Sequence, residues 1–177
     1  MASVISHPAV PLALSVALGQ SRITPGLTAV ACVASVLPDI DSLGYAAGIP
    51  YDHPLGHRGF THSLSFALLV ALLCSLSAKR FGASALWTFA IVLVSAASHG
   101  ILDAMTTGGL GVAFFSPFSN ARYFFPWQVI PVSPIGVGRF LSGRGLRILR
   151  SEIVWIWVPA AVLAVVGMAV RSLSSLD

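Results

Sequence analysis

The sequence predicts an all-α integral membrane protein, a bundle of about five helices with a long, partly ordered loop between the fourth and the fifth. Two observations indicate this fold class. Of the 177 residues, 56% are hydrophobic and only 9% are charged, and the mean hydropathy is +0.87. A soluble domain of this size would lack the polar surface that keeps it dissolved. We treat residues 1–177 as a single membrane-embedded domain.

Five apolar stretches are candidates for crossing a bilayer. They run from about Pro8 to Leu18, Pro25 to Leu37, Phe60 to Ala78, Gly82 to Leu102 and Ile153 to Val170. The first is shorter than the roughly 20 residues that a span requires, so we expect a shallow or tilted helix. A region of about fifty residues, rich in proline, glycine and aromatics, separates the last two stretches. We expect it to pack as re-entrant or interfacial structure.

Charge and cysteine content narrow the possible partners. The two cysteines lie inside apolar runs and offer neither a disulfide framework nor a cysteine-based metal cluster. Much of the positive charge falls in a short cluster formed by Arg139, Arg144, Arg147 and Arg150. Beside a membrane segment, such a cluster predicts contact with anionic lipid headgroups. It contains no interleaved aromatics and no recognition motif, so we expect no nucleic-acid partner.

The histidines and most of the acids fall on one side of the predicted topology. If all five stretches cross the membrane, the N-terminus, the loop between the second and third stretches and the loop after the fourth lie on the same side. That side holds all five histidines and four of the acids: His7, His53, His57, His62, His99, Asp39, Asp41, Asp52 and Asp103. Ionisable groups at membrane depth are costly and tend to be functional. Imidazoles and carboxylates in this ratio suit zinc, manganese or ferrous iron, and they do not suit calcium.

The spacing of these residues suggests how they meet. His99 and Asp103 are four positions apart, so a helix places both on one face, where they can point at one ion. In the sequence PDID, an irregular turn after Pro38 is expected to let Asp39, Asp41 or both reach inward. In HRGFTHS, Gly59 is expected to end a loop that carries His57, and His62 is expected to start the next helix.

Four motifs carry a resemblance to a known family. PDID (38–41), HRGFTHS (57–63), HGILDAMTTGG (99–109) and PFSNARYFFP (117–126), in this order, resemble the YdjM-type family of inner-membrane proteins, regarded as metal-dependent hydrolases and in some bacteria regulated through LexA. That family is similar to the superfamily of zinc-dependent phospholipase C and single-strand nucleases. The resemblance implies a multi-pass protein of the bacterial or archaeal inner membrane. It also implies that one or two divalent ions, zinc before manganese or iron, are held by His7, Asp39 or Asp41, His57 or His62, His99, and Asp103.

The sequence departs from the soluble enzymes after Asp103. No later histidine follows, so a full trinuclear zinc site is not expected. Glu152 is the remaining acid that can replace part of the missing set. We consider it as a ligand or general base, and alternatively as an ordinary acid near a helix start.

The implied reaction is hydrolysis by metal-activated water. An ion lowers the pKa of bound water and polarises a phosphoryl or acyl oxygen, and a carboxylate among Asp39, Asp41 and Asp52 accepts the proton. Arg58 and Arg122 can bind a phosphate, or can instead anchor loops to headgroups. The membrane setting favours membrane lipids or a small molecule with a lipid-like headgroup as substrate, and a phosphoesterase as the enzyme. The alternative is a transition-metal transporter, or a metal-binding membrane protein without hydrolytic activity.

Overall fold

The computed structural model describes residues 1–133 and 143–174. In these ranges five helices follow one another: α1, Ala9–Leu18; α2, Pro25–Val36; α3, Leu64–Leu76; α4, Ala85–Ala104; and α5, which continues through Gly143–Glu152, a π-helical turn at Ile153–Trp157, and Val158–Ser174. Strand-like pairing in the described ranges is confined to two isolated bridges. The predicted all-α bundle of five helices is confirmed.

Hydroxyl side chains set where α3 and α4 begin. The Ser63 hydroxyl accepts a hydrogen bond from the Phe66 amide, and the Ser84 hydroxyl accepts one from the Trp87 amide. Such N-caps satisfy amides that lack a partner in the first turn. Because Ser63 is extended, the predicted stretch from Phe60 to Ala78 is not one helix. It divides into a 3₁₀ turn, Phe60–His62, and α3.

The last helix begins earlier than the sequence predicts. We expected it at Ile153, but α5 starts at Gly143, so the connection after α4 is 105–142 rather than about fifty residues. The prediction followed hydropathy alone, whereas arginine and leucine are good helix formers whatever their polarity. Of the predicted arginine cluster, Arg147 and Arg150 are exposed on this helix. Arg139 and the side chain of Arg144 lie outside the described residues.

Three helices in the described ranges are long and apolar enough to cross a membrane: Pro25–Tyr45, Ala85–Ala104 and Gly145–Ser174. The first joins α2 to a 3₁₀ helix, Leu37–Tyr45. Helices α1 and α3 have 10 and 13 residues and are shorter than a full span. The expected short first helix is therefore observed, and the third is short as well.

Small residues let the helices approach closely. Helices α2, α3 and α4 share a core that includes Ala31, Ala67 and Ala96. Helix α1 packs against α5, where a Cβ added at Gly167 would lie 2.6 Å from the Cα of Ala17. Close backbone approach through alanine and glycine is how membrane helices gain packing without a hydrophobic driving force.

One end of the bundle gathers the ends of four helices. There α1 begins, α2 passes into its 3₁₀ extension, α3 begins and α4 ends. The loop that follows α4 is fixed to this end by backbone hydrogen bonds, from Leu64 to Phe114, from Ala113 to Arg58 and from Phe125 to Ala104. The residues of the predicted site lie at this end.

Candidate metal centre

Four ionisable side chains from separate elements converge at this end of the bundle. They are Asp39 of the 3₁₀ extension, His62 of the 3₁₀ turn, and His99 and Asp103 of α4; each offers a ligand atom, and these atoms lie within 4.8 Å of one another. His62, His99 and Asp103 are buried, and the side chain of Asp39 is 11% exposed. As predicted, His99 and Asp103 lie on one face of α4.

The distances between these atoms match those around a small cation. His62 Nε2 lies 3.0 Å from His99 Nε2, 3.5 Å from Asp103 Oδ2 and 3.7 Å from Asp39 Oδ1. His99 Nε2 lies 3.4 Å from the same Asp39 oxygen. Bonds of about 2.0–2.1 Å in a tetrahedral zinc site place neighbouring ligand atoms about 3.3 Å apart. These residues therefore fit a tetrahedral ion.

Hydrogen bonds on the far side of each ring fix the histidine tautomers. His99 Nδ1 lies 2.7 Å from the Ser35 carbonyl oxygen, which can only accept, so Nδ1 carries the proton. His62 Nδ1 lies 3.1 Å from a carboxylate oxygen of Asp41 and 3.2 Å from the Thr61 hydroxyl, which itself donates to Asp41, so this Nδ1 also carries the proton. Both Nε2 atoms of the neutral rings then present lone pairs to each other. Their approach requires a positive charge, either a proton or a bound cation.

Asp41 is fully engaged in holding its neighbours. Its oxygens lie 2.7 Å from His57 Nδ1 and 3.1 Å from His62 Nδ1, and they accept hydrogen bonds from the Arg58 amide and the Thr61 hydroxyl. With His57 and His62 it forms a second group that could hold an ion. A carboxylate that orients a ligating histidine through Nδ1 is the usual outer partner of zinc sites.

Two side chains of the site lack hydrogen bonds within the described residues. They are His7, through both ring nitrogens, and Asp39, through both carboxylate oxygens. The His7 ring stacks on the His99 ring with centroids 3.7 Å apart, and its Nε2 lies 3.7 Å from Asp103 Oδ1. Buried polar atoms are almost always satisfied, so such orphans point to a missing partner.

The negative charge of the carboxylates changes the pKa of His62, a residue that lies outside the three candidate membrane spans. Burial lowers the pKa of this imidazole, but the carboxylates of Asp103, Asp39 and Asp41 outweigh burial and raise it to about 10. The cluster therefore attracts a proton or another cation to the same place.

The chain also matches known proteins. A model of the YdjM inner membrane protein family matches residues 1–174. The chain belongs to this family. Inner membrane protein YbcI of Escherichia coli (strain K12) is 42% identical over 164 residues, 92% of this chain and 95% of the relative. No solved structure matches. The family resemblance seen in the motifs is confirmed, and so is the inner-membrane location.

Arg58 has internal partners in this YdjM family member. Its side chain is fully buried, and its guanidinium donates to Asp103, Thr106 and the Gly108 carbonyl at 3.1, 2.7 and 2.8 Å. Its φ of 63° is uncommon for a residue other than glycine. Strained residues persist where several contacts fix them, often at functional sites. Binding of a substrate phosphate by Arg58 stays a prediction.

The other residues predicted for the site occupy its margin. Arg122 donates to the carbonyls of His57, Tyr51 and His53, so it holds the loop between α2 and α3. Its two predicted roles, binding of a phosphate and anchoring of a loop to headgroups, stay predictions. Asp52 and His53 are exposed and belong to neither of the two groups of possible metal ligands. Glu152 is fully buried, and its carboxylate accepts hydrogen bonds from Ser3 and Ser6.

Sequence reasoning missed the groups that orient the ligands. They are the Ser35 carbonyl, the Thr61 hydroxyl and the Ala2 amide, which donates to Asp103 Oδ1 at 2.7 Å. Thr61 stands inside the HRGFTHS motif, so its position was a usable signal. Backbone groups carry no sequence signal of their own.

Proposed function

We propose that this YdjM family member is a metal-dependent membrane hydrolase, a phosphoesterase that acts on a lipid-like or headgroup substrate. The observation that carries the proposal is the pair of His62 and His99 nitrogens, 3.0 Å apart with their lone pairs facing. The matching spacing of Asp39 and Asp103 oxygens supports the same conclusion. We assign these four residues as ligands and His7 as a further donor beside Asp103, for the same ion or a second.

The charge balance supports one divalent cation in the main site. Asp39, Asp41 and Asp103 contribute three negative charges, and Arg58 offsets one of them through its contact with Asp103. If the histidines are neutral, two negative charges remain, and a divalent ion neutralises them. Two imidazoles and two carboxylates suit zinc first, with manganese or ferrous iron as alternatives.

A bound ion would supply a water of lowered pKa and would polarise the oxygen of a scissile ester. Asp39 is the best proton acceptor in the site because its two oxygens, both buried, have no hydrogen bond within the described residues. Asp41 and Glu152, the other predicted acids, are held by hydrogen bonds to neighbours. We therefore assign Asp39 as the group that accepts the proton of the bound water.

Metal content is the first test. Purified without chelator and incubated with zinc, the protein should hold at least one ion per chain. His99→Ala and Asp103→Ala should lose that ion, and so should insertion of an alanine after Ile101, which turns Asp103 by about 100° away from His99. His53→Ala is the matched control, since His53 is exposed and outside the clusters. A folded protein that takes up no zinc, manganese or iron would remove the basis of the proposal.

Activity and transport assays separate the enzyme from a transporter. In vesicles, the protein should hydrolyse a chromogenic phosphodiester or a headgroup-labelled phospholipid, and a chelator should stop the reaction. An encapsulated zinc-sensitive dye should show no flux. Zinc flux that depends on His99, without hydrolysis, would favour the transporter.

A further inference from the structure

Glu152 is a buried carboxylate that the proposed hydrolysis does not use. It ends the first segment of α5, and the π-helical turn Ile153–Trp157 follows it directly. No ion pair to Glu152 is found among the described residues, so its charge depends on hydrogen bonds. The donors are the Ser3 amide, the Ser3 hydroxyl and, at 2.8 Å, the Ser6 hydroxyl. A buried carboxylate with three donors is a firm anchor for the segment that provides them.

The N-terminal segment, residues 2–7, which Glu152 anchors, also reaches the metal centre. Its Ala2 amide donates to Asp103, and its last residue, His7, stacks on His99. Ala2 and His7 are fully buried. The segment is therefore fixed to α5 on one side and lies against two of the proposed ligands on the other.

His7 has few contacts of its own to hold it in place. Neither ring nitrogen forms a hydrogen bond within the described residues, so the ring depends on stacking and on the position of its backbone. The preceding residue, Ser6, fixes that backbone. Its hydroxyl donates to Glu152 and accepts from Trp157 Nε1 at 3.2 Å, on the far side of the π-helical turn.

We propose that Glu152 is a positioning residue of the metal centre, which acts through Ser3 and Ser6 to hold His7 against His99. The role of His7 as a donor rests on the proposed metal-dependent function, whereas its placement by Glu152 does not. The proposal also assigns a purpose to the contact between the start of α5 and the N-terminal segment. In this proposal Glu152 is neither a metal ligand nor a general base, the two functional roles considered for it from the sequence.

The test uses Glu152→Gln in the full chain in nanodiscs, with Ser151→Ala as the matched control. Ser151 is the neighbouring residue of the same helix, but its hydroxyl bonds to Val129 and not to the N-terminal segment. The first readout is modification of His7 by diethyl pyrocarbonate, mapped by mass spectrometry. The second is the visible spectrum and affinity of bound Co²⁺. Glutamine keeps only one acceptor oxygen and removes the charge that strengthens the three hydrogen bonds, so it should loosen the segment.

We expect Glu152→Gln to raise the rate of His7 modification several-fold, to change the Co²⁺ spectrum and to weaken Co²⁺ binding about 10-fold, the scale of a lost outer partner. The double substitution Ser3→Ala and Ser6→Ala should do the same, and it replaces Glu152→Gln if that variant fails to fold. Ser151→Ala should change neither readout.

The outcomes separate the two proposals. If Glu152→Gln leaves both His7 modification and the Co²⁺ spectrum unchanged, the positioning role is refuted. If it further weakens Co²⁺ binding in a His7→Ala background, Glu152 does not act through His7, and the proposal also fails. If the wild-type protein takes up no Co²⁺ and Glu152→Gln still exposes His7, the positioning role stands and the metal-dependent function is refuted.

Discussion

Asp39 and Asp41 stand two residues apart and should behave oppositely when each is changed to asparagine. Asp39 has no hydrogen bond within the described residues, and its oxygen lies 3.4 Å from His99 Nε2. Asp41 forms hydrogen bonds with His57 Nδ1, the Arg58 amide and the Thr61 hydroxyl, and it also lies 3.1 Å from His62 Nδ1. Asp39→Asn should therefore remove metal and spare the fold, whereas Asp41→Asn should weaken the fold itself.

The expected magnitudes follow from these contacts. Structural zinc sites bind with about 10–16 kcal/mol, so one ligand of four contributes about 3 kcal/mol, or about 100-fold in Kd. Asparagine at position 41 keeps one acceptor oxygen, so about two of the groups around Asp41 lose their partner. At about 1–3 kcal/mol for each unsatisfied buried group, the free energy of unfolding of the metal-free protein should fall by about 2–6 kcal/mol.

Zinc affinity by competition with a chromophoric chelator, together with thermal unfolding of the metal-free protein in one detergent, measures both effects. Asp52→Asn is the control, because Asp52 is exposed and outside the clusters. The assignment of Asp39 as ligand is refuted if Asp39→Asn keeps wild-type zinc affinity. The assignment of Asp41 as a structural anchor is refuted if Asp41→Asn unfolds at the wild-type temperature.

Three further predictions test the surroundings of the site. Without metal the pKa of His62 is raised from 6.5 to about 10, so protonation of His62 stabilises the metal-free fold fully below pH 6.5, and this stabilisation is lost as the pH rises toward 10. Zinc competes with that proton, so zinc affinity in the same competition assay should rise between pH 6.5 and 10. A zinc affinity that does not change with pH would contradict this prediction. Gly167→Val should cost about 1–3 kcal/mol in thermal unfolding by overpacking against α1, while Ala169→Val, on the exposed side, should cost little. Pro38→Ala supplies an amide that competes with His99 Nδ1 for the Ser35 carbonyl, so zinc affinity should fall about 10-fold. An unchanged zinc affinity would refute the role of Pro38.

The hydropathy pattern was sufficient to predict the helices but not their exact ends. Helices begin at hydroxyl caps such as Ser63 and Ser84, and both caps stand inside stretches that are apolar overall. The basic first segment of α5 is polar and still helical, because a helix that reaches the membrane surface continues into it. Hydropathy reports burial in lipid, and a helix need not end where lipid ends.

The spacing of the motifs was sufficient to bring the site together, but not to assign its roles. The step from His99 to Asp103 fixes a common face on any helix, and the structure has both on one face of α4. The sequence left open whether Asp39 or Asp41 is the ligand. Both lie in a 3₁₀ helix, and tertiary contacts, which the spacing does not reveal, decide which side chains each of them meets. For Arg58 the sequence predicts phosphate binding or the anchoring of a loop, and it gives no sign of the contact with Asp103, because no spacing rule links residues 45 positions apart.

The site depends on an interruption of the helix that a membrane would otherwise keep regular. In lipid every carbonyl of a helix is normally satisfied by the amide four residues later, so none is left to orient a histidine. Ser35 is the exception because the helix tightens after it: in the 3₁₀ geometry its partner would be the amide of residue 38, and Pro38 has none. The carbonyl is therefore free to accept the Nδ1 proton of His99, 2.7 Å away. The proline of PDID thus directs the other nitrogen of His99 toward Asp39, one residue farther along the same motif.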